Sequence, residues 1–120
     1  MDYGEAGSTG DTFQAVKSHE KVSTLATPGE ADLTAHVDFT ALAEAATPAS
    51  CSNATPQGAF LEALGITMRA QKLAQKLDGQ ALDNHIAAHR RLTHPDEMGT
   101  LFKVMAIYAD GTPPPPGVSV

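Results

Sequence analysis

The run Leu101-Phe102-Lys103-Val104-Met105-Ala106-Ile107-Tyr108 constrains this chain more than any other stretch, because only Lys103 interrupts its apolar character. A strand apolar on both faces belongs inside a sheet with cover on both sides. Its backbone N–H and C=O groups also need neighbouring strands, since one strand cannot satisfy its own. The remainder of the 120 residues reads mainly as helices and loops. Residues 22–25 are the one weak strand within reach. The partners of this buried strand are either such weak strands or strands outside the chain.

Upstream, residues 1–10 read as a polar, glycine-rich loop, and residues 10–21 as a short helix or turn with Phe13 and Val16 on one side. Thr27-Pro28-Gly29-Glu30 is a turn signal, with Pro setting φ and Gly permitting φ > 0. Asp38 is a good N-cap for a helix over residues 39–46, where Phe39, Leu42, Ala43 and Ala46 share one face. Residues 47–56 are a polar breaker segment.

Three helices are expected after it. The first covers residues 57–64, with Phe60, Leu61 and Leu64 as its apolar side and Gly65 at its C′ position. The second covers residues 67–77, and Asp78-Gly79 ends it. The third covers residues 80–92. Thr93-His94-Pro95-Asp96 then caps a brief helical turn stopped by Gly99. The tail is expected to be a stiff, poorly packed polyproline II segment, because Pro113 to Pro116 are consecutive. The organisation is therefore one unit over residues 1–112 and a Pro-rich tail over 113–120.

Charge and targeting signals narrow the class of function. The formal net charge is −6. That balance argues against a nucleic-acid-binding face, which needs a basic stripe. No apolar run approaches the roughly 20 residues that span a bilayer, so no membrane segment is expected. The acidic, glycine-rich start lacks the features of a signal or transit peptide. Cys51 is the single cysteine. It reads as a loop thiol in a reducing compartment, and the expected location is cytoplasmic.

Several strings, in order, resemble one family. Asp2-Tyr3-Gly4 is followed by Gly10-Asp11-Thr12-Phe13-Gln14-Ala15-Val16 and His19. Then come Pro28-Gly29-Glu30-Ala31-Asp32-Leu33-Thr34-Ala35-His36-Val37-Asp38-Phe39 and Gln57-Gly58-Ala59-Phe60-Leu61. Leu64-Gly65-Ile66, Arg69 and Met98-Gly99-Thr100-Leu101-Phe102-Lys103-Val104 complete the set. Together they resemble the C-terminal third or so of the MidA-like class I S-adenosylmethionine-dependent methyltransferases.

The resemblance implies an α/β fold: the C-terminal part of a Rossmann-like methyltransferase, helix-rich, with a buried C-terminal strand and an incomplete sheet. It places Met1-Asp2-Tyr3 as the stub of the fifth strand, with the strand over residues 101–108 inserted beside it as the seventh. The sixth should precede Gln57. There the chain departs from the pattern, reading Asn53-Ala54-Thr55-Pro56 where Gly-Pro-x-Thr is usual. The implied cofactor is S-adenosylmethionine, bound mainly by a missing N-terminal part. The implied activity is protein arginine methylation in the full-length parent, the isolated chain being inactive. The implied acceptor is a protein, with a respiratory complex I subunit as the family's example; self-association stays open. Gly4-Glu5-Ala6-Gly7 and Gly7-Ser8-Thr9-Gly10 are glycine-rich, but the strand-turn-helix context of a cofactor turn is absent. The rival reading is a non-enzymatic helical interaction module or gene remnant.

On this reading Asp2 and Tyr3 lie at the carboxyl end of a central strand, where open α/β sheets bind ligands. Asp2 can accept from a cationic group, and Tyr3 can stack on a planar one. His19 is an acid/base candidate by its residue type, or else structural. Asp32 and Thr34 either line a substrate cleft or serve local turn chemistry. Gln57 either caps its helix or reaches the cleft. His85 and His89 are four apart on a helix, but no third ligand joins them, so no metal is expected. Arg90-Arg91 reads as a solvated helix end.

Overall fold

The structure is a computed structural model and describes residues 1–7 and 10–120. The first half carries β1 (Asp2–Glu5), β2 (Gln14–Lys17), β3 (Glu20–Val22), β4 (Asp32–Thr34), β5 (Val37–Asp38) and α1 (Phe39–Ala45). Next come β6 (Ser50–Cys51), β7 (Thr55–Pro56), α2 (Gln57–Ala63), α3 (Ile66–Ala74) and α4 (Gly79–Thr93). A π-type turn (Pro95–Gly99), β8 (Phe102–Val104) and β9 (Ile107–Tyr108) complete a mixed α/β fold.

The main sheet has the order β5-β1-β8-β7. β1 pairs antiparallel with β8, Tyr3 opposite Phe102, and parallel with β5, Gly4 opposite Val37. A Cβ on Gly4 would collide with the Val37 carbonyl oxygen, so glycine lets the two strands close. The partners of β8 are thus found within the chain, one of them the fifth-strand stub beside which the resemblance set it. β8 lies between β1 and β7, and β9 pairs with β6.

That strand is also divided, which corrects the expected continuous run over 101–108. Ser52 is buried and holds both backbone groups of Ala106: its N–H donates to the Ala106 carbonyl, and its Oγ accepts from the Ala106 N–H, each at 3.0 Å. The side-chain bond replaces a ladder bond, and β9 leaves for a different sheet. Nor is the run buried on both faces: Val104 is buried, but Leu101 and Ile107 are about half exposed. Lys103 folds onto Glu5 at 3.1 Å and the Thr100 carbonyl at 2.7 Å.

Residues 10–21 form no helix. β2 and β3 make a hairpin, with β4 on the other edge of β2. The turn residues Ser18 and His19 both have positive φ, 51° and 67°. Such left-handed values match the twist of the flanking strands in a two-residue hairpin loop. Of the weak strand expected over residues 22–25 only Val22 lies in a strand, β3, which pairs with β2 and not with the C-terminal strand, and Thr24 and Leu25 are in a turn.

Elsewhere local chemistry decides the elements. Asp38 Oδ1 accepts from Thr40 N at 2.9 Å and Ala41 N at 3.2 Å, capping α1. Glu30 N donates to the Thr27 carbonyl across the Pro28-Gly29 turn. Gly65, at φ 83°, closes α2. Cys51 lies in β6, not in a loop. The tail is not loose either: Asn53 N donates to the Ser119 carbonyl at 2.8 Å, and Ser119 N to Thr55 Oγ1 at 3.2 Å.

Among the described residues only Ala15, Phe39 and Val104 are buried apolar side chains. On the expected apolar side of α2, Phe60 and Leu61 are half-buried and Leu64 is half exposed. The buried residues of α2 are Gln57 and Gly58. The radius of gyration is 17.8 Å, where a compact chain of this length has roughly 14 Å. The chain is flat and encloses little core. Among the described residues no helix is long and apolar enough to cross a membrane.

Candidate functional site

The hairpin sheet supplies one wall of a cleft of about 360 Å³. Register sets which side chains share that wall: Gln14 lies opposite Thr34, and Val16 opposite both Lys21 and Asp32. Residues opposite one another, and residues two apart on one strand, project from the same face. Gln14, Val16, Lys21 and Thr34 accordingly line the cleft together. Tyr3, His36 and Leu101 close it from the main sheet and its approaches.

The aromatic side of the cleft is fixed by edge-to-face contacts. Tyr3 meets His36 with ring centroids 5.4 Å apart and Phe102 at 5.8 Å, both near perpendicular. Such pairs prefer this geometry because the ring quadrupole sets a positive edge against a negative face. His36 is itself placed by its N–H, which donates to Thr12 Oγ1 at 3.0 Å.

Of the residues singled out from sequence, this cleft brings together Tyr3 and Thr34. Asp2 stands beside it in β1, exposed, with Oδ1 accepting from Tyr3 N at 2.8 Å. Asp32 lies on the same face as Thr34 but does not line the cleft. His19 sits at the exposed hairpin tip. Gln57 is buried at the head of α2, and its Nε2 donates to the Leu92 carbonyl at 2.8 Å. That bond ties α2 to the end of α4.

Sequence reasoning missed Gln14, Lys21 and His36. His36 carried a usable signal, because it stands two residues beyond Thr34 in an extended stretch. Lys21 carried none without the hairpin register.

Shallow grooves flank the α3–α4 contact. His85 Nε2 bonds the Ala70 carbonyl and His89 Nε2 bonds Thr67 Oγ1, each at 3.0 Å. The two imidazoles are thereby spent on α3, and among the described residues no three His, Cys, Asp or Glu side chains cluster as a metal site would require.

Residues 1–57 match a family described as "Putative S-adenosyl-L-methionine-dependent methyltransferase". The chain is 36% identical over 111 residues to the protein arginine methyltransferase NDUFAF7 homolog, mitochondrial, of Drosophila melanogaster. That match covers 90% of this chain and 25% of the relative. Against the human protein arginine methyltransferase NDUFAF7, mitochondrial, it is 33% identical, covering 88% and 24%. A solved structure from Burkholderia thailandensis, bound to S-adenosyl-homocysteine, superposes with a TM-score of 0.70 at 28% identity, covering 88% of this chain and 28% of that one. A native structure from the same organism and superfamily gives 0.74 at 30% identity, covering 89% and 31%.

The chain belongs to the MidA-like methyltransferases. It spans about a quarter of the length of the curated relatives it matches. The mitochondrial names of those relatives overturn the cytoplasmic location expected from the sequence.

The matching family is described by S-adenosyl-L-methionine dependence. The first glycine-rich string of this chain lies in β1 and the bend after it, with the strand β2 and not a helix as the next element, so it lacks the strand-turn-helix form of a cofactor turn. Gly4 is closed against Val37, and the Cβ positions of Gly7 and Gly10 face open space. Ser8 and Thr9, in the second glycine-rich string, lie outside the described residues.

Proposed function

We propose that this chain is the C-terminal portion of a class I methyltransferase whose full-length form methylates arginine side chains of a protein. On this reading residues 1–112 belong to the methyltransferase domain, and residues 113–120 follow it as a tail. S-adenosylmethionine supplies the methyl group, held mainly by residues outside this chain. The acceptor protein that the resemblance implies is a respiratory complex I subunit. The isolated 120 residues are inactive, because they lack the glycine-rich turn and following acidic residue that hold the cofactor.

The observation that carries the reading is the convergence of Tyr3 and Thr34 on one cleft beside β1, in a chain similar to arginine methyltransferases over nine-tenths of its length. Tyr3 offers a rigid wall held by two rings, and Thr34 a hydroxyl across from it. Methyl transfer to nitrogen depends mainly on alignment, where a misplacement of about 1 Å can cost roughly 10²-fold in rate. The chain's own contribution is therefore to orient the acceptor. On this reading Asp2, the exposed neighbour of Tyr3 in β1, is the carboxylate that accepts from the acceptor's cationic group.

The test is methyl transfer by the full-length protein to arginine peptides, with and without Tyr3→Ala. The expected outcome is transfer by the wild type and a loss of roughly 10²-fold in the variant. Transfer by the isolated 120 residues, or an unchanged rate in Tyr3→Ala, would sink this reading.

A further inference from the structure

The charge in the cleft runs opposite to that of the chain. Its lining holds the Lys21 ammonium, the His36 imidazole, the Gln14 amide and the hydroxyls of Thr34 and Tyr3, and no carboxylate. The chain as a whole is net −6. Lys17, Arg90 and Lys103 are each paired with a glutamate, at 2.6, 3.0 and 3.1 Å. Lys21, like Arg69, Lys72, Lys76 and Arg91, makes no ion pair among the described residues, and of these five it alone lines this cleft. Asp32 shares its row across the sheet, but Val16 stands between them. Two strand spacings put the two backbones roughly 9–10 Å apart.

An unpaired ammonium among hydrogen-bond donors is the chemistry that takes a carboxylate. Bonds to an ionised acceptor are about twice as strong as those between neutral groups. Val16 and Leu101 supply apolar lining beside these groups. We propose that this cleft is a subsite for the carboxylate of an acidic side chain flanking the acceptor in a protein substrate. The proposal rests on the methyltransferase reading only in naming a protein as the ligand's source. The same chemistry could be met by the amino-acid carboxylate of the cofactor, and the experiment separates the two.

The experiment is calorimetric binding of two arginine peptides to the full-length protein. The peptides differ only in a flanking glutamate or glutamine, scanned over positions near the arginine. At one position the glutamate peptide is expected to bind about tenfold tighter, which matches one charge-assisted bond. Lys21→Met should abolish that preference, Lys21→Arg should keep it, and Lys21→Glu should shift it toward a lysine-flanked peptide. Lys21 is exposed on β3, so the variants should melt near the wild type, and the arginine variant controls for packing.

A glutamate preference that survives Lys21→Met overturns the proposal. So does a Lys21→Met effect confined to S-adenosylmethionine affinity, which would assign the cleft to the cofactor's carboxylate. Equal binding of both peptides at every position overturns it as well. Binding is read without methyl transfer, so an inactive protein that still shows the Lys21-dependent preference would refute the enzyme reading and leave the subsite standing.

Discussion

Gln57 donates its side-chain amide to the carbonyl of Leu92 across 2.8 Å, joining the first residue of α2 to the last turn of α4. The side chain is almost wholly buried, at 3% exposure. Removing it leaves a carbonyl without its partner, which costs about 1–3 kcal/mol when buried. Gln57→Ala should therefore lower the urea midpoint of unfolding. Gln57→Glu should do the same, because a carboxylate cannot donate to a carbonyl. A midpoint unmoved by both changes would remove Gln57 from the structural frame and reopen its place in substrate binding.

The same joint depends on two glycines. A Cβ at Gly58 would collide with the Thr93 carbonyl oxygen, and one at Gly99 with the carbonyls of Thr93 and His94. Gly58 lies inside α2, where alanine is ordinarily better by about 0.8–1 kcal/mol. Here the contact is backbone on both sides and cannot swing away, so the clash should win. Gly58→Ala is expected to destabilise by roughly 1–3 kcal/mol, the range for overpacking. Thermal unfolding checks this, and a rise in melting temperature would show that α2 and α4 can separate without loss.

What the sequence disclosed follows from how local each signal is. Asp38 as a cap and Gly65 after α2 each depend on neighbours within a few residues, and both stand as read; Gly99, read as a stop, instead lies inside the π-type turn, and helical backbone continues to Leu101. The pairing of β1 with β8 was reachable only through the family resemblance. β6 and β7, at two residues each, are too short to show any period. The hairpin was hidden because its turn uses Ser18-His19 in place of the Asn-Gly or Asp-Gly that marks such turns. With the hairpin unseen, Lys21 could not be placed opposite Val16, and the polarity of the cleft was read from Asp2 and Asp32 instead.

The cap at Asp38 joins three segments. Besides Thr40 and Ala41, its carboxylate accepts from Gly7 N at 3.3 Å, linking the loop after β1 to α1. Asp38→Ala should destabilise by about 0.5–2 kcal/mol. Asp38→Asn keeps an acceptor oxygen and should recover most of that loss. Denaturant unfolding of the pair discriminates a cap from a charge effect: equal losses in both variants would mean that the negative charge, not the oxygen, is what α1 requires.

His19 gives the sharpest contrast between a candidate from sequence and its place in the fold. It occupies the second turn position with φ 67°, a left-handed conformation that costs most non-glycine residues roughly 1–2 kcal/mol. Its ring is not among the residues that line the cleft. His19→Gly should relieve the backbone strain and stabilise the hairpin by up to about 1 kcal/mol. Part of the gain is offset because glycine gives the unfolded chain more freedom. Methyl transfer by the full-length protein should stay within about twofold of wild type, since no proton path leads through a side chain at the hairpin tip. A loss of kcat above tenfold, with the melting temperature held or raised, would return His19 to the chemistry and place the tip against the acceptor.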